Sequence, residues 1–128
     1  MPRLTGSQMK YLHVIYMAQQ DAHGIRAVDV ARKLGVSKPS VTRMTKLFLE
    51  TGLIRVGKGG AITLMPAGES EGSLIHEKMT RVYPFFAEYL ELPQSEALDS
   101  AYSFLGGLSD CCIERLLEKG WALDLHPV

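Results

Sequence analysis

Cysteine is scarce in this chain: Cys111 and Cys112 are the only two among 128 residues. Neighbouring side chains in a helix diverge by about 100°, so a bond between them would be strained. Reduced thiols, acting as small buried side chains, are the expectation, and a disulfide framework is excluded. No run approaches the roughly 20 apolar residues that cross a bilayer. The opening MPRLTGSQMK also lacks the apolar core of a secretion signal, which makes the cytoplasm the expected location. Four histidines, His13, His23, His76 and His126, are scattered. No nucleophile, base and orienting group come together in the sequence, nor do converging carboxylates, so nothing argues for an enzyme. The stretch Gly57-Lys58-Gly59-Gly60 fits neither G-x-x-x-x-G-K-[ST] nor G-x-G-x-x-G, which removes the nucleotide-binding reading.

Net charge is also missing, because 14 cations balance 14 anions. The balance is not local. Residues 1–68 hold ten cations (Arg3, Lys10, Arg26, Arg32, Lys33, Lys38, Arg43, Lys46, Arg55 and Lys58) against three anions, whereas residues 69–128 hold four against eleven. Attraction for a polyanion therefore belongs to the first half. A hydrophobic content of 46% suits one compact unit, or two small lobes sharing a core.

Within the basic half, residues 27–55 read as two short helices joined by a glycine turn and followed by a strand. Ala27 to Leu34 carries apolar Val28, Val30, Ala31 and Leu34, with Asp29 in the first turn beside the positive helix end. Gly35 tolerates positive φ and stops this helix in a sharp turn. Ser37 is placed to cap the next helix, and Pro39 fits a first turn where a missing N–H costs little. Projecting residues 38–50 at the helical period sets Val41, Met44, Thr45 and Phe48 on one side and Pro39, Thr42, Arg43, Lys46 and Glu50 on the other.

This is the plan of a DNA-reading helix-turn-helix. Arg43 suits guanine recognition, Lys46 suits backbone phosphate, and Ser37, Lys38, Pro39, Ser40 and Thr42 stand at the end that reaches bases or phosphates. After Gly52, residues 53–56 and 61–64 read as two strands flanking the glycine-rich tip, a wing whose Lys58 would lie near a phosphate or the minor groove.

Upstream, Thr5-Gly6-Ser7-Gln8 fits a capping box, predicting a helix to about Gln20 that buries Leu12, Ile15 and Tyr16. Downstream, Pro66 opens a linking helix over 66–83 with Leu74, Ile75, Met79 and Val82 at helical spacing. Pro84 predicts a kink or break before residues 85–92 resume the helix. Two more helices are expected over 95–105 and 109–119, capped by Ser95 and Ser109 and separated by Gly106-Gly107. Residues 120–128 read as a tail. The second half carries Phe85, Phe86, Tyr89, Leu90, Leu98, Tyr102, Phe104, Leu105, Ile113 and Leu116, more apolar surface than about 55 residues comfortably bury alone. A second copy would cover the excess and set paired recognition helices one DNA turn apart.

Together, YLHVIYMA, IRAVDVARKLGVSKPSVTRM, GAITLMPAG and GLSDCCIERL resemble the diphtheria-toxin-repressor family of iron- and manganese-dependent transcriptional repressors, from about Leu4 to Leu117. The resemblance implies a mainly α fold: a winged helix-turn-helix of three helices and a two-stranded wing over 1–72, then an α-helical dimerisation domain over 73–128. It implies a homodimer, a double-stranded DNA operator and no membrane partner. It further implies a regulatory Mn or Fe ion between the two halves, held by the first helix, the linking helix and an acidic or Cys residue followed three and four positions later by Glu-His. The matching positions here are Lys10, His13, Thr80, Tyr102, Leu105 and Gly106, of which only His13 offers a usable donor. Other candidate ligands are His76, Glu77, Cys111 and Cys112, without a recognised metal spacing.

The expected function is a homodimeric DNA-binding regulator with an altered or lost metal switch. Two alternatives are a metal-dependent repressor with non-standard ligands and a winged-helix module that binds protein. The latter calls for an apolar or acidic recognition face.

Overall fold

The chain's first helix starts where Thr5 and Gln8 predict it. In the computed structural model, which describes residues 3–19 and 24–120, the Gln8 amide donates to Thr5 Oγ1 at 3.2 Å and the Thr5 amide to Gln8 Oε1 at 2.9 Å. Helix α1 follows as Gly6–Gln19, then α2 (Ala27–Leu34), α3 (Lys38–Glu50), β1 (Ile54–Val56), β2 (Ile62–Leu64), α4 (Pro66–Pro84), α5 (Gln94–Gly107) and α6 (Asp110–Glu118). A single 3-10 turn occupies Lys58–Gly60 and a π turn Phe85–Tyr89. The architecture is a winged helix plus a helical domain. His23, His126 and most of the tail lie outside the described residues.

Two compact units divide these elements: Lys10–Leu74 forms one, and Arg3–Met9 with the described residues from Ile75 to Gly120 forms the other. In the first unit the core gathers Leu12, Ile15, Val30, Val41, Phe48, Leu53, Ile54 and Ile62. Strands β1 and β2 pair antiparallel with Arg55 opposite Thr63, and Ile25 adds a bridge to Ile62 just before α2. Gly68 is required where α4 meets the wing, because a Cβ there would fall 1.9 Å from the Leu53 carbonyl oxygen. Tyr16 is half-buried rather than buried, its ring lying where a side chain at Gly72 would be. Val28 and Leu74, expected to pack, are 41% and 46% exposed. Helical spacing marks a face without saying which of its edges remain uncovered.

In the second unit Leu4, Ile75, Met79, Val82, Ala97, Ala101, Tyr102, Leu105, Ile113 and Leu117 are buried. Pro84 does not break the helix before it; it is the last residue of α4. Its missing N–H removes one rung, and the ladder rewinds more widely in the next turn, where the Leu90 amide donates to Phe85 O at 2.9 Å. Glu91, at φ +55°, then ends the coil before the expected limit at Leu92. Helix α5 is capped by Pro93 instead of Ser95, the Pro93 carbonyl accepting from Ala97 N, and it runs through Gly106-Gly107 instead of stopping there. The separator is Leu108-Ser109, where Ser109 Oγ accepts from Cys112 N as its spacing predicts. Cys111 and Cys112 are exposed, contrary to the expectation of burial, because both occupy the outer side of the first turn of α6 while Ile113 turns inward.

Candidate nucleic-acid interface

Helix α2 ends at Gly35, whose φ of +65° allows the chain to reverse into α3. Ser37 holds the next start, its Oγ accepting from Ser40 N at 3.3 Å. The two hydroxyls of Ser37 and Ser40 lie 2.9 Å apart, and an Arg43 Nη2 donates to Ser40 Oγ at 3.3 Å. Thr42 Oγ1 donates back to the Lys38 carbonyl. Val41 and Phe48 are buried and Met44 and Thr45 half-buried, while Pro39, Thr42, Arg43, Lys46 and Glu50 are all exposed. Among the other candidates Ser37 and Lys38 are exposed and Ser40 is half-buried.

The wing adds cations to the same unit. Lys58 is exposed at its tip, followed by Gly59 and Gly60 at positive φ. Arg55 on β1 reaches across to Thr63 Oγ1 at 3.4 Å. Arg26, the residue before α2, places its guanidinium against the wing tip, with an Nη2 3.1 Å from where a Gly59 Cβ would sit. Sequence reasoning did not select Arg26 or Arg55. Arg55 was legible from strand alternation, since it faces away from buried Ile54. Arg26 was not, because its place depends on the long-range bridge between Ile25 and Ile62.

This arrangement presents guanidinium and ammonium groups on one exposed helix and a flanking loop, with short hydroxyls at the helix N-terminus. Chemically it offers bidentate donors for base edges and point charges for phosphates.

The candidate metal ligands do not assemble. His13 is buried in the first unit. In the second, His76 is half-buried, and Glu77, Cys111 and Cys112 are exposed. Among the described residues no three His, Cys, Asp or Glu side chains come together as a metal site. At the positions where the family resemblance implies ligands, Leu105 is a buried hydrocarbon, and burial, with Asp99 nearby, pushes the Tyr102 phenol up to about 12, keeping it protonated. Gly106 meets Gly6 so closely that a Cβ would fall 2.2 Å from the Gly6 nitrogen. A divalent ion does not fit this donor set.

Residues 3–62 match the family described as "Iron dependent repressor, N-terminal DNA binding domain". An uncharacterised HTH-type transcriptional regulator of Methanocaldococcus jannaschii is 29% identical over 107 residues, covering 83% of this chain and 86% of that protein. Among solved structures, the manganese regulator SloR superposes with a TM-score of 0.74 at 26% identity over 88% of this chain. The metal-dependent transcriptional regulator MtsR gives 0.72 at 26% identity over 93%. The chain spans about half the length of these two, 52% and 54%.

Proposed function

With residues 3–62 matching the iron-dependent repressor N-terminal DNA-binding domain, we propose that this chain is a homodimeric, sequence-specific DNA-binding regulator of the metal-dependent repressor family whose family-type metal switch has been altered or lost. The observation that carries this reading is the outward face of α3. Arg43 and Lys46 stand exposed beyond a Ser37-capped start, with Lys58 on the wing of the same unit. Ser37, Lys38, Pro39, Ser40 and Thr42 line the leading end of that helix and complete the surface that meets the operator, and Arg26 and Arg55 join it. A cationic face suits duplex DNA and argues against the protein-binding alternative, which needs an apolar or acidic one. An operator as partner supports the cytoplasmic location expected from the sequence, and the cationic face supports a binding role.

The second unit supports pairing. Tyr89 and Leu90 are each 46% exposed, beside half-buried Phe85 and Phe86. The Phe85 ring stacks on Tyr89 at 5.4 Å and meets Phe86 edge-on at 5.2 Å. Covering this patch with a second copy removes apolar area from water and supplies the two-fold axis that two half-sites require.

Titration of labelled duplexes selected from a random pool tests the proposal, in chelator and with manganese or iron added, and sedimentation of the same samples tests pairing. Saturable, sequence-selective binding by a dimer, unchanged by metal, is expected. Equal affinity for all duplexes overturns the specificity. A large gain on adding metal would restore a switch with non-standard ligands, and sedimentation as a monomer would remove the dimer.

A further inference from the structure

Arg3 joins sequence positions more than a hundred residues apart. Its Nε donates to Asp110 Oδ1 at 2.8 Å, an Nη2 to Leu105 O at 2.7 Å, and an Nη1 to Gly106 O at 3.2 Å; the same Nη2 also reaches Leu108 O. Three of these acceptors are carbonyls at or just beyond the end of α5, where the helix runs out of amides to satisfy them and carries its negative pole. Leu108, the residue after α5, is extended, so no left-handed glycine cap serves this end. The fourth acceptor belongs to the first residue of α6. A planar guanidinium has the several fixed donors that such a convergence demands; an ammonium has not.

The residues after Arg3 are tied to the same place. Leu4 is 7% exposed, and a Cβ on Gly6 would fall 2.6 Å from Tyr102 O. The first turn of α1 thus lies at backbone contact with α5, and α1 continues without interruption from Met9 into the Lys10–Leu74 unit.

We propose that Arg3 is a positioning residue for DNA binding: its guanidinium fastens the start of α1 to the junction of α5 and α6, so that this fastening is done by a cation of the chain itself and needs no bound ion. The proposal rests on the DNA-binding reading above and names how that activity is regulated: by a permanent tie in place of an exchangeable one.

Hydrogen exchange of the peptide covering residues 3–12 and duplex affinity are measured on the full chain, for wild type, Arg3→Ala, Arg3→Lys and Asp110→Asn. Exchange in Arg3→Ala should rise at least tenfold and affinity fall at least fivefold. Asp110→Asn, which leaves the three carbonyl contacts, should change both less. Arg3→Lys should recover only part of the loss. Millimolar guanidinium added to Arg3→Ala should restore protection where equal sodium chloride does not, a response that general unfolding would not give. Manganese alone should leave wild-type exchange unchanged.

Wild-type affinity in Arg3→Ala, unaltered exchange, failure of guanidinium to restore protection, or a manganese-induced slowing of wild-type exchange would each overturn the proposal. If the wild type selects no duplex, the DNA reading fails, and the exchange arm still decides whether Arg3 is the fastener.

Discussion

In the proposed DNA-binding reading, a single guanidinium, that of Arg43, is assigned most of the base-reading capacity of this surface. Arg43 is exposed and held at its inner edge by the Ser40 hydroxyl, which leaves its remaining donors for the O6 and N7 of a guanine. Arg43→Ala should weaken cognate binding by about 1–3 kcal/mol and flatten the preference at one position of the site; competition with single-base variants reads this directly, and an unchanged preference refutes the assignment. Tyr102 gives a second prediction at this scale. Burial first, and Asp99 second, raise its pKa from 10.0 to about 12, so between these values the unfolded chain loses its phenolic proton while the folded chain keeps it. Stability should therefore fall as pH rises from about 10 to about 12, by roughly 2–3 kcal/mol in all. Denaturant titrations across that window, compared with Tyr102→Phe, measure it. Other residues were hidden from sequence. Gly68 carries no signal in the sequence, and Gly106 reads as a helix separator, until Leu53 O and Gly6 N are seen where their side chains would be; exposure of Cys111 and Cys112 follows from which side of α6 the core takes.

At the scale of elements, legibility followed local chemistry. The bounds of α2 and α3 coincide with expectation because Gly35, Ser37 and Pro39 act within a turn of where they stand. Ser37→Ala should cost about 1 kcal/mol through loss of the cap, lowering the melting temperature by a few degrees; Ser37→Asn should largely retain it, and equal melting of all three proteins would dismiss the cap. The wing was legible in outline from its glycines, but its bridge to Ile25 was not, since pairing between positions 25 and 62 leaves no periodic trace. Around Pro84 the local rule gave the place of the interruption but not its form. Proline removes one amide wherever it falls, yet at the end of α4 the following turn absorbs the defect as a π turn, and the helical path ends at Tyr89, before Glu91 at positive φ.

For the molecule as a whole, the segregation of charge is the feature that sequence and structure express alike. Cations of the first half recur as exposed side chains on α3 and the wing. Binding to any duplex should therefore fall steeply with salt, and Lys46→Ala should reduce affinity for all sequences and lower the slope of log K against log salt by about one; an unaltered slope removes Lys46 from the phosphates. The candidate ligands show the opposite behaviour. His13, His76, Glu77, Cys111 and Cys112 could be counted in the sequence, but whether donors converge is a property of the folded chain, and among the described residues no three such side chains come together.

The exposure of Cys111 and Cys112 offers an experimental convenience. They are the only thiols, they sit on α6, and α3 has none. With Cys111→Ser, one spin label per chain at position 112 would therefore report the spacing between two copies in the proposed dimer as a single dipolar frequency, while every side chain of the proposed DNA-binding face stays chemically untouched.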